Sequence, residues 1–286
     1  MKILVTGGLG FVGSNLVDKL VDEHEVYVLD DMSSESASLK YKNEKAKYQI
    51  GTVEDIGFYY EHHQFDRIYH LAAKARIQPS FEEPKDYFNS NALGTAAVME
   101  FARVSNSGIV VYATTSSKNH GSDYLTPYTY SKVVGEGVLK MYAYCFGVNC
   151  AMATFYNVYG NREPREGEWA TVVAKFGRQW KEGSQLTVVG DGMQTRDFTH
   201  VDDICDGLIK ISEGNWKADN FDLGRGVPVS ILDVAKAWTG NDLSKIEFVP
   251  LRKNEGLHTE ADIETTHKRI NWKAQKDLIY YINESR

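Results

Sequence analysis

The sequence predicts an α/β protein built on a doubly wound parallel sheet. Short apolar runs rich in Val, Ile and Tyr alternate with segments of helical period, a pattern typical of parallel sheets with helices on both faces. A glycine-rich turn also joins the first predicted strand to the first predicted helix. The chain of 286 residues is long enough for one large α/β domain or two modest ones.

Four segments predict buried parallel strands because they are short, apolar and rich in β-branched residues or tyrosine. In chain order these are KILVTG, EVYVLD, RIYHLAA and GIVVYATT. The segments with helical period in this half are FVGSNLVDKLVDE, PKDYFNSNALGTAAVMEFARV and TYSKVVGEGVLKMYAYCFG. The connections between the strands are expected to be right-handed crossovers.

The pattern loosens after about Tyr159, where REPREGEW predicts a loop. The later predicted elements are a helix at TVVAKFGRQWKEG, a strand at LTVVG, further elements at HVDDICDGLIKISEG and VSILDVAKAWTG, and a last helix near AQKDLIYYINES. No internal repeat or low-complexity linker separates the halves. We therefore predict a larger domain over residues 1–158 and a smaller cap over 159–286, with segments near 197–225 returning to the first domain.

Composition and charge exclude several classes of protein. The net charge of −7 argues against a broad nucleic-acid or acidic-membrane footprint, so an anionic ligand would be held by a few local cations and backbone amides. No apolar run approaches the roughly 20 residues that span a bilayer, and MKILVTGG enters a strand at once, without a signal peptide. The three cysteines and eight histidines lack metal-ligand spacing. We expect a cytoplasmic protein with reduced thiols and no metal.

The turn VTGGLGFVG predicts a dinucleotide-binding site. Gly7, Gly10 and Gly13 allow a tight turn and let the backbone approach a pyrophosphate, which would rest on the helix N-terminus. The next strand ends in LDD, where Asp30 can accept hydrogen bonds from both ribose hydroxyls and would repel a 2′-phosphate. NAD is therefore favoured over NADP. The alternative, a glycine-rich turn that binds nothing, fits this strand–helix context poorly.

The stretch TTSSKNHGSDYLTPYTYSK contains Tyr124, Tyr128 and Tyr130, but only Tyr128 has a lysine, Lys132, four residues on. This spacing places both side chains on one face of a helix that begins near Pro127. The same spacing occurs at Tyr41 and Lys45, inside the charged stretch YKNEKAKY, which is expected to be a solvated surface. Spacing alone therefore does not identify a catalytic pair.

Motifs along almost the whole chain, from Met1 to about Trp272, resemble those of a known family of proteins. They are TGGLGFVG, LDD, HLAAKA, NSNALGT, YATTSS, TPYTYSKVVGE, FYNVYGNRE and GDGMQTRDFTHVDDICDGL. In this order they resemble the extended short-chain dehydrogenases/reductases, within them the NAD-dependent nucleotide-sugar epimerases and dehydratases, and most nearly the UDP-glucose 4-epimerases. The resemblance implies a Rossmann-type fold, bound NAD and a C-terminal α/β cap that binds the substrate.

The resemblance places a catalytic hydroxyl at Thr115, the last residue of GIVVYATT. Ligands of open α/β sheets bind in the crevice at the carboxyl ends of the strands, which agrees with this position. The Tyr128 phenolate would take the proton of a sugar hydroxyl, and the ammonium of Lys132 and a positive nicotinamide would lower the pKa of that phenol. Thr115 would hold the sugar oxygen, and Lys132 would also reach the nicotinamide ribose. The alternative is a structural Tyr–Lys pair.

Other site residues follow by position in the resembling family. The predicted cofactor-binding residues are Gly7, Gly10, Phe11, Val12, Gly13, Asp30, Asp31, Lys74, Tyr128 and Lys132. The predicted substrate-binding residues are Asn157, Arg196, Arg252 and Thr259, the two arginines as clamps on a nucleotide diphosphate. Each cation has the alternative of a solvated surface residue. Asn91 is expected to hold backbone, and Asp202 and Asp203 to form a helix-cap region.

Two departures from the family concern the cofactor and the substrate. Thr52 stands where the family often has an aspartate, which affects one adenine contact. KNHG replaces the usual Val-Tyr-Gly run after the catalytic hydroxyl, and the segment from Thr115 to Tyr128 is shorter than usual. A shortened loop there bears on the identity of the substrate more than on the chemistry.

The residues after Thr115 indicate which reaction to expect. Dehydratases of the family carry acidic residues there and decarboxylating members a glutamate, whereas this chain has Ser116 and Ser117. We therefore expect 4-epimerisation of a UDP-sugar, UDP-glucose/UDP-galactose or their N-acetylated forms, through a transient 4-keto intermediate. The alternatives are a reductase, 3,5-epimerase-type enzyme, dehydratase or decarboxylase acting on another nucleotide sugar, and a non-catalytic dinucleotide-binding sensor or scaffold.

Two further expectations concern assembly and sugar size. The helices predicted at PKDYFNSNALGTAAVMEFARV and YTYSKVVGEGVLKMYAYCFG carry more apolar residues than one sheet-facing stripe requires. The family pairs the equivalent helices as a four-helix bundle, which predicts a homodimer. Thr259 falls seven residues after Arg252, where the family's 4-epimerases border the C2 substituent of the sugar. A threonine there predicts room for an N-acetyl group, which a tyrosine would exclude.

Overall fold

The computed structural model describes residues 1–34, 37–119, 126–167, 170–251 and 257–286. Within these residues the main sheet has seven strands, all parallel, in the order β10-β6-β5-β4-β1-β2-β3. Its strands are β1 Lys2–Thr6, β2 Glu25–Asp30, β3 Lys47–Ile50, β4 Arg67–His70, β5 Ile109–Thr115, β6 Cys150–Phe155 and β10 Lys217–Leu223. The predicted α/β fold with a doubly wound parallel sheet is confirmed.

Helices cover both faces of this sheet. They are α1 Phe11–Leu20, α2 Ile56–Tyr59, α3 Pro84–Phe88, α4 Gly94–Val104, α5 Pro127–Phe146 and α7 Val201–Ile211. On one face Leu16 of α1 and Ile204 of α7 share a core with Val5 of β1. On the other face Val98 of α4 and Leu139 of α5 share a core with Val110 of β5. Side chains buried on both faces explain why the central strands are continuously apolar rather than alternating.

The long helix predicted from Pro84 is interrupted. A π-helical turn at Asn89–Leu93 separates α3 from α4. Asn91 of this turn is almost fully buried, and its amide hydrogen-bonds the backbone of Lys74 and the hydroxyl of Ser131. A π turn inside a helix re-aims side chains that serve a site, and here it turns Asn91 toward the loop after β4.

A smaller α/β layer follows the main sheet. It has a sheet in the order β11-β9-β7 and a parallel pair β12-β8. Its elements are β7 Asn157–Tyr159, α6 Val172–Lys181, β8 Leu186–Val189, β9 Thr195–His200, β11 Pro228–Ser230, α8 Ile231–Thr239, β12 Ile246–Val249, α9 Ile263–Ile270 and α10 Leu278–Ser285. Phe176, Val188 and Trp238 form its core. The cap therefore has apolar packing of its own.

The chain returns from the cap to the main sheet. Strand β10 pairs in parallel with β6 and forms an edge of the sheet, while α7 packs against α1. Both elements lie in or near the segment 197–225. The division into domains at 158 remains a prediction. In the described part of the chain no helix has both the length and the apolar character needed to cross a membrane.

Candidate active site

The turn between β1 and α1 has no space for a side chain at Gly7 or at Gly13. Gly7 adopts a φ of +71°, a left-handed conformation that favours glycine. A Cβ on Gly13 would lie 2.1 Å from the carbonyl oxygen of Gly7. Gly10 precedes the first residue of α1. The turn therefore exposes backbone at a helix N-terminus, where an anionic group is favourably bound.

Asp30 ends β2 beside this turn and is buried. Its carboxylate accepts hydrogen bonds from the backbone N–H groups of Leu9 and Met32, both at 2.9 Å. Burial raises the pKa of Asp30, and these two hydrogen bonds oppose the rise. Asp31 is exposed and instead accepts from the backbone and hydroxyl of Ser33. The two carboxylates thus differ in role, because Asp30 also fixes the glycine turn.

A cavity of about 380 Å³ runs along the carboxyl ends of the central strands. The structure brings all ten predicted cofactor-binding residues to its lining: Gly7, Gly10, Phe11, Val12, Gly13, Asp30, Asp31, Lys74, Tyr128 and Lys132. Thr52 also lines the cavity, and its hydroxyl donates to Asp55 at 3.1 Å. One continuous cavity therefore joins the glycine turn to the Tyr–Lys pair. Their binding roles remain predictions.

Helix α5 presents Tyr128 and Lys132 to the cavity from its first two turns. Thr126 caps the helix by accepting the backbone N–H of Thr129 at 3.0 Å, and Pro127 occupies the first helical position. Tyr128 is half-buried, and the surface that it keeps lines the cavity. The spacing of four residues then places Lys132 one turn further along the same face.

Burial raises the pKa of the Tyr128 phenol above its ordinary value. A hydrogen bond with Thr115 and the charge of Arg76 oppose this rise. The expectation of a lowered pKa is therefore wrong for the protein's own groups, because desolvation outweighs them. Thr115 ends β5, and its hydroxyl donates to Ser117 at 3.0 Å. The structure thus brings Thr115 and Tyr128 together as expected.

Lys132 is buried, and its Nζ lies 4.2 Å from the ring centroid of Tyr112. Burial lowers the pKa of Lys132 to about 7, against the opposing charge of Glu136. Glu136, one turn further along α5, accepts hydrogen bonds from Thr114 at 2.5 Å and Lys118 at 2.6 Å. The charge on Lys132 therefore depends on a buried carboxylate that other groups share.

Lys74 and Asn91 lie where the loop after β4 meets α5. The Lys74 ammonium pairs with Glu83 at 2.8 Å and with Asp86 at 3.6 Å. The side-chain amide of Asn91 accepts a hydrogen bond from the backbone N–H of Lys74 at 2.8 Å and donates one to the carbonyl of Lys74 at 2.9 Å. This is the backbone contact expected of Asn91. Lys74 reaches the cavity rim with two acidic partners already beside it.

A second cavity of about 190 Å³ is lined by residues of the cap and by Arg76 from the loop after β4. The predicted substrate residues Asn157 and Arg196 both line it, together with Lys175 and Gln194. The Arg196 guanidinium donates to the carbonyl of Thr195 at 2.9 Å. Arg252, the other predicted diphosphate clamp, lies outside the described residues, as does Tyr124.

Thr259 is not brought to either cavity. It is buried, and its hydroxyl accepts the backbone N–H of Asp197 at 3.2 Å. Its own N–H donates to the carbonyl of Thr195. The threonine therefore links the segment after residue 257 to β9. A direct contact with a sugar substituent remains a prediction, and this position gives it no support.

The helix-cap expectation for Asp202 and Asp203 is refined by the structure. His200 is the cap of α7, and its Nδ1 accepts the N–H of Asp202 at 3.1 Å. Asp203 accepts the backbone N–H of Lys276 at 2.9 Å, and Asp202 pairs with the Lys276 ammonium at 2.5 Å. The two aspartates therefore fasten the C-terminal segment to the first turn of α7.

Sequence reasoning did not identify three charged residues near the cavities, namely Arg76, Glu136 and Glu163. Arg76 lines both cavities. Glu163 is buried, accepts the hydroxyl of Thr171, and has a pKa raised by burial to about 7. The four-residue spacing of Lys132 and Glu136 on one helix could have indicated that pair. No local pattern marks Arg76 or Glu163, because their neighbours come from distant segments.

Comparison with known proteins supports the same interpretation of the chain. A profile of the NAD dependent epimerase/dehydratase family matches residues 3–224. The UDP-glucose 4-epimerase of Mycolicibacterium smegmatis is 31% identical over 299 residues, covering 97% of this chain and 95% of that protein. UDP-glucuronic acid decarboxylase 1 of Arabidopsis thaliana is 28% identical over 302 residues, covering 97% of this chain and 67% of that protein.

A solved structure matches equally fully. The UDP-glucose 4-epimerase of Thermotoga maritima, crystallised with UDP-glucose, has a TM-score of 0.93 and 26% identity, covering 100% of this chain and 97% of that one. Epimerases and decarboxylases thus align along nearly the same length of the chain. The family match, which spans most of the sequence and includes both cavities' strands, shows that this chain belongs to the NAD dependent epimerase/dehydratase family.

Proposed function

We propose that this chain catalyses NAD-dependent 4-epimerisation of a UDP-sugar through a 4-keto intermediate. One observation carries the proposal: Tyr128 and Lys132 line the cavity that begins at the glycine turn, and Thr115, at the end of β5, hydrogen-bonds Tyr128. The similarity to two UDP-glucose 4-epimerases supports it. The runner-up is another reaction of the same family, since a decarboxylase aligns almost as well.

The residues of the first cavity fit a dinucleotide. A side chain on Gly13 would fill the space above the carbonyl of Gly7, so the turn stays open to a pyrophosphate. Asp30, already held by two backbone amides, has the position and charge to accept ribose hydroxyls. When bound, NAD supplies the acceptor, and then the donor, of one hydride at the sugar C4. A parent protein that binds NADP more tightly than NAD contradicts the assignment to Asp30.

The protein's own residues move the proton of the C4 hydroxyl. Tyr128, as phenolate, accepts this proton when the alcohol is oxidised and returns it when the ketone is reduced. Thr115 bonds Tyr128 and is positioned to hold the sugar oxygen between the two steps. The charge of Arg76 opposes the rise in the pKa of Tyr128, and an ammonium on Lys132, one helical turn away, would act in the same direction. Asn157 and Arg196 would hold the nucleotide part of the substrate while the sugar ring of the keto intermediate rotates.

The groups beside Thr115 favour epimerisation over elimination or decarboxylation. Ser116 is buried, and Ser117 hydrogen-bonds Thr115 at 3.0 Å. Neither hydroxyl is a strong acid or base at neutral pH. Epimerisation requires only that one hydride leaves and returns at C4, so it needs no further acid or base.

The test is incubation of the purified protein with UDP-glucose, UDP-galactose, their N-acetyl forms and UDP-glucuronate, followed by chromatography. We expect the C4 epimer of at least one substrate, without net reduction of NAD. Release of CO₂, loss of water from the sugar, or steady consumption of NADH would replace the proposal with decarboxylation, dehydration or reduction respectively. Binding of NAD with no turnover of any of these sugars would favour a sensor.

The assembly that fits this function is a homodimer through α4 and α5. Both helices keep large apolar side chains on the surface, among them Val104 at 68%, Met141 at 44% and Phe146 at 54% exposure. An exposed apolar patch of this kind marks an interaction surface. Light scattering at micromolar concentration is expected to give twice the mass of the chain, and a monomer throughout contradicts the proposal. Met141→Glu is expected to shift the equilibrium toward monomer.

A further inference from the structure

Arg76 lies at the junction of the two cavities. Among the described residues it is the one that lines both. On one side the first cavity holds Tyr128 and Lys132. On the other side the second cavity holds Asn157 and Arg196. A nucleotide sugar with C4 at Tyr128 and its diphosphate near Arg196 must place the sugar ring between them, beside Arg76.

The Arg76 side chain has no fixed partner in the described part of the chain. No hydrogen bond or ion pair of its guanidinium occurs there, whereas Lys74 pairs with Glu83 and Asp86. Burial lowers the pKa of Arg76, and the charges of Tyr128 and Glu163 oppose this. Glu163 is a weak counter-ion, because its own pKa is raised to about 7 and its carboxylate already accepts a hydrogen bond from the hydroxyl of Thr171. A half-buried cation with a weak counter-ion is less stable than one that an anion binds directly.

The backbone at Arg76 is also unusual. Its φ of +90° lies in the left-handed region, which side chains other than glycine rarely adopt. Such conformations cluster at ligand-binding sites, where the surroundings hold them in place. Here Asn91 fixes the peptide groups of Lys74, two residues earlier, and Tyr87 donates to the carbonyl of Ala75 at 2.8 Å. The loop is therefore held so that the guanidinium reaches the cavity junction.

We propose that Arg76 binds a carboxylate on the sugar, so that the preferred substrates are UDP-sugars with an acidic substituent. The inference rests on the proposed function, which places the sugar C4 at Tyr128 and the diphosphate near Arg196. The planar guanidinium matches a carboxylate by two parallel hydrogen bonds. The diphosphate has its own cations, Arg196 and Lys175, in the second cavity. A neutral sugar brings no anion to Arg76, whose protein neighbour Glu163 is a weak counter-ion, and charge is therefore the basis of selection.

The experiment measures binding by calorimetry to the full chain loaded with NADH, so that no turnover occurs. The ligands are UDP-glucuronate, with a carboxylate on C5, UDP-N-acetylmuramate, with a carboxylate on the C3 lactyl group, neutral UDP-glucose, and UDP. The variants are Arg76→Gln and Arg76→Lys. Arg178→Gln is the matched control, because it removes one positive charge from an exposed pair with Glu182 on α6.

We expect the parent to bind at least one acidic sugar about 10-fold or more tightly than UDP-glucose. Arg76→Gln should weaken that ligand by about 10- to 100-fold and change UDP-glucose and UDP by less than about 3-fold. Arg76→Lys should retain part of the preference, since it keeps the charge but loses the fork. Which acidic sugar binds tells whether the carboxylate lies at C5 or C3. Arg178→Gln should match the parent.

Two results overturn the inference. If Arg76→Gln weakens the binding of all four ligands equally, Arg76 binds the diphosphate. If the four affinities do not change, Arg76 has a structural role. Because these are binding measurements, they stand apart from catalysis. A protein that epimerises UDP-glucose without any preference for acid refutes only this inference, whereas acid-selective binding without epimerisation refutes only the proposed function. If Arg76→Gln unfolds, Arg76→Gly serves in its place, because glycine adopts a φ of +90° without strain.

Discussion

Tyr128 and Lys132 share a spacing with Tyr41 and Lys45, but the two pairs lie in opposite surroundings. Lys132 is 3% exposed, follows a capped helix start and faces the cavity. The Lys45 side chain is 65% exposed and pairs with Asp22. Tyr41 ends a short 3₁₀ turn, where the Arg162 guanidinium lies 5.1 Å from its ring centroid.

The difference shows what turns a spacing into chemistry. Burial raises the pKa of Tyr128 and lowers that of Lys132. The strand β5 delivers Thr115 and Thr114 to the first pair, whereas the strand before the second pair, β2, ends in Asp30 at the glycine turn. Substitutions in and beside the two pairs should therefore differ in effect, most of all at Tyr128.

Tyr128→Phe should reduce turnover by at least about 100-fold, the low end for a positioned acid–base group. The ring remains, so the fold and NAD binding should be retained. Tyr41→Phe and Tyr130→Phe are the matched controls and should change turnover by less than about 2-fold. Steady-state kinetics on the best substrate provide the measurement. Near-normal turnover in Tyr128→Phe would remove the distinction between the pairs.

Lys132→Met should flatten the pH dependence of stability. The pKa of Lys132 is about 7 in the folded protein against an ordinary 10.5, so the unfolded state binds more protons between these values. This group therefore makes the free energy of unfolding rise with pH across that window, by up to about 1.4 kcal/mol per pH unit. Urea unfolding at pH 7, 8 and 9 measures the slope. Lys45→Met, in the exposed pair with Asp22, is the control variant, and an identical slope in Lys132→Met and the parent would contradict the burial argument.

Glu136→Gln should shift the basic limb of the pH–activity profile to lower pH. Glu136 raises the pKa of Lys132, so its removal leaves Lys132 neutral at a lower pH. Turnover at pH 8 should fall by about 10-fold for each pH unit that the limb moves, and it should recover toward pH 6. Lys118→Met is the informative control. It removes the ion-pair partner of Glu136, so the charge of Glu136 then acts more strongly on Lys132. The two variants should shift the basic limb of the profile in opposite directions. A shift in the same direction would indicate that Glu136 acts through packing.

Arg162→Gln, beside the surface pair, should have the smallest effect. The guanidinium contacts the Tyr41 ring and pairs with Asp18 at 2.6 Å. Losing a partly exposed ion pair and a cation–π contact should reduce stability by about 1 kcal/mol and leave the pH–activity profile unchanged. The urea midpoint and the profile of the parent serve as references. A change in the profile would couple the surface pair to the cavity.

Local sequence predicted the parts of the site that chain neighbours determine. The glycine turn needs only adjacent residues to adopt its conformation, and β5 is apolar enough to identify Thr115 as its last residue. The start of α5 followed from Pro127 and from the spacing of Tyr128 and Lys132. These features required no knowledge of what packs against them.

Contacts between distant segments determine what sequence reasoning missed. CAMATF and KADNFDL form β6 and β10, although neither has the β-branched composition that predicts a strand. The second is a strand because it pairs with the first, and its Phe221 and Leu223 are buried there. In the same way, the second cavity at Arg76 is lined by β7, α6 and β9, which lie far along the chain from the loop of Arg76. The direction of the Tyr128 pKa likewise depends on burial, which spacing does not reveal.

The pairing of β10 with β6 has a consequence for how the chain is made. Strand β6 is almost entirely buried, and the hydrogen-bonding edge that it presents outward is covered by residues that leave the ribosome more than sixty positions later. Until then a nascent chain holds a nearly complete sheet with one bare apolar edge, a template for association with other chains. A fragment ending at 158 should therefore aggregate, while one extended through 224 should stay dispersed. The last strand of the main sheet to be synthesised, β10, would thus protect that sheet during biogenesis.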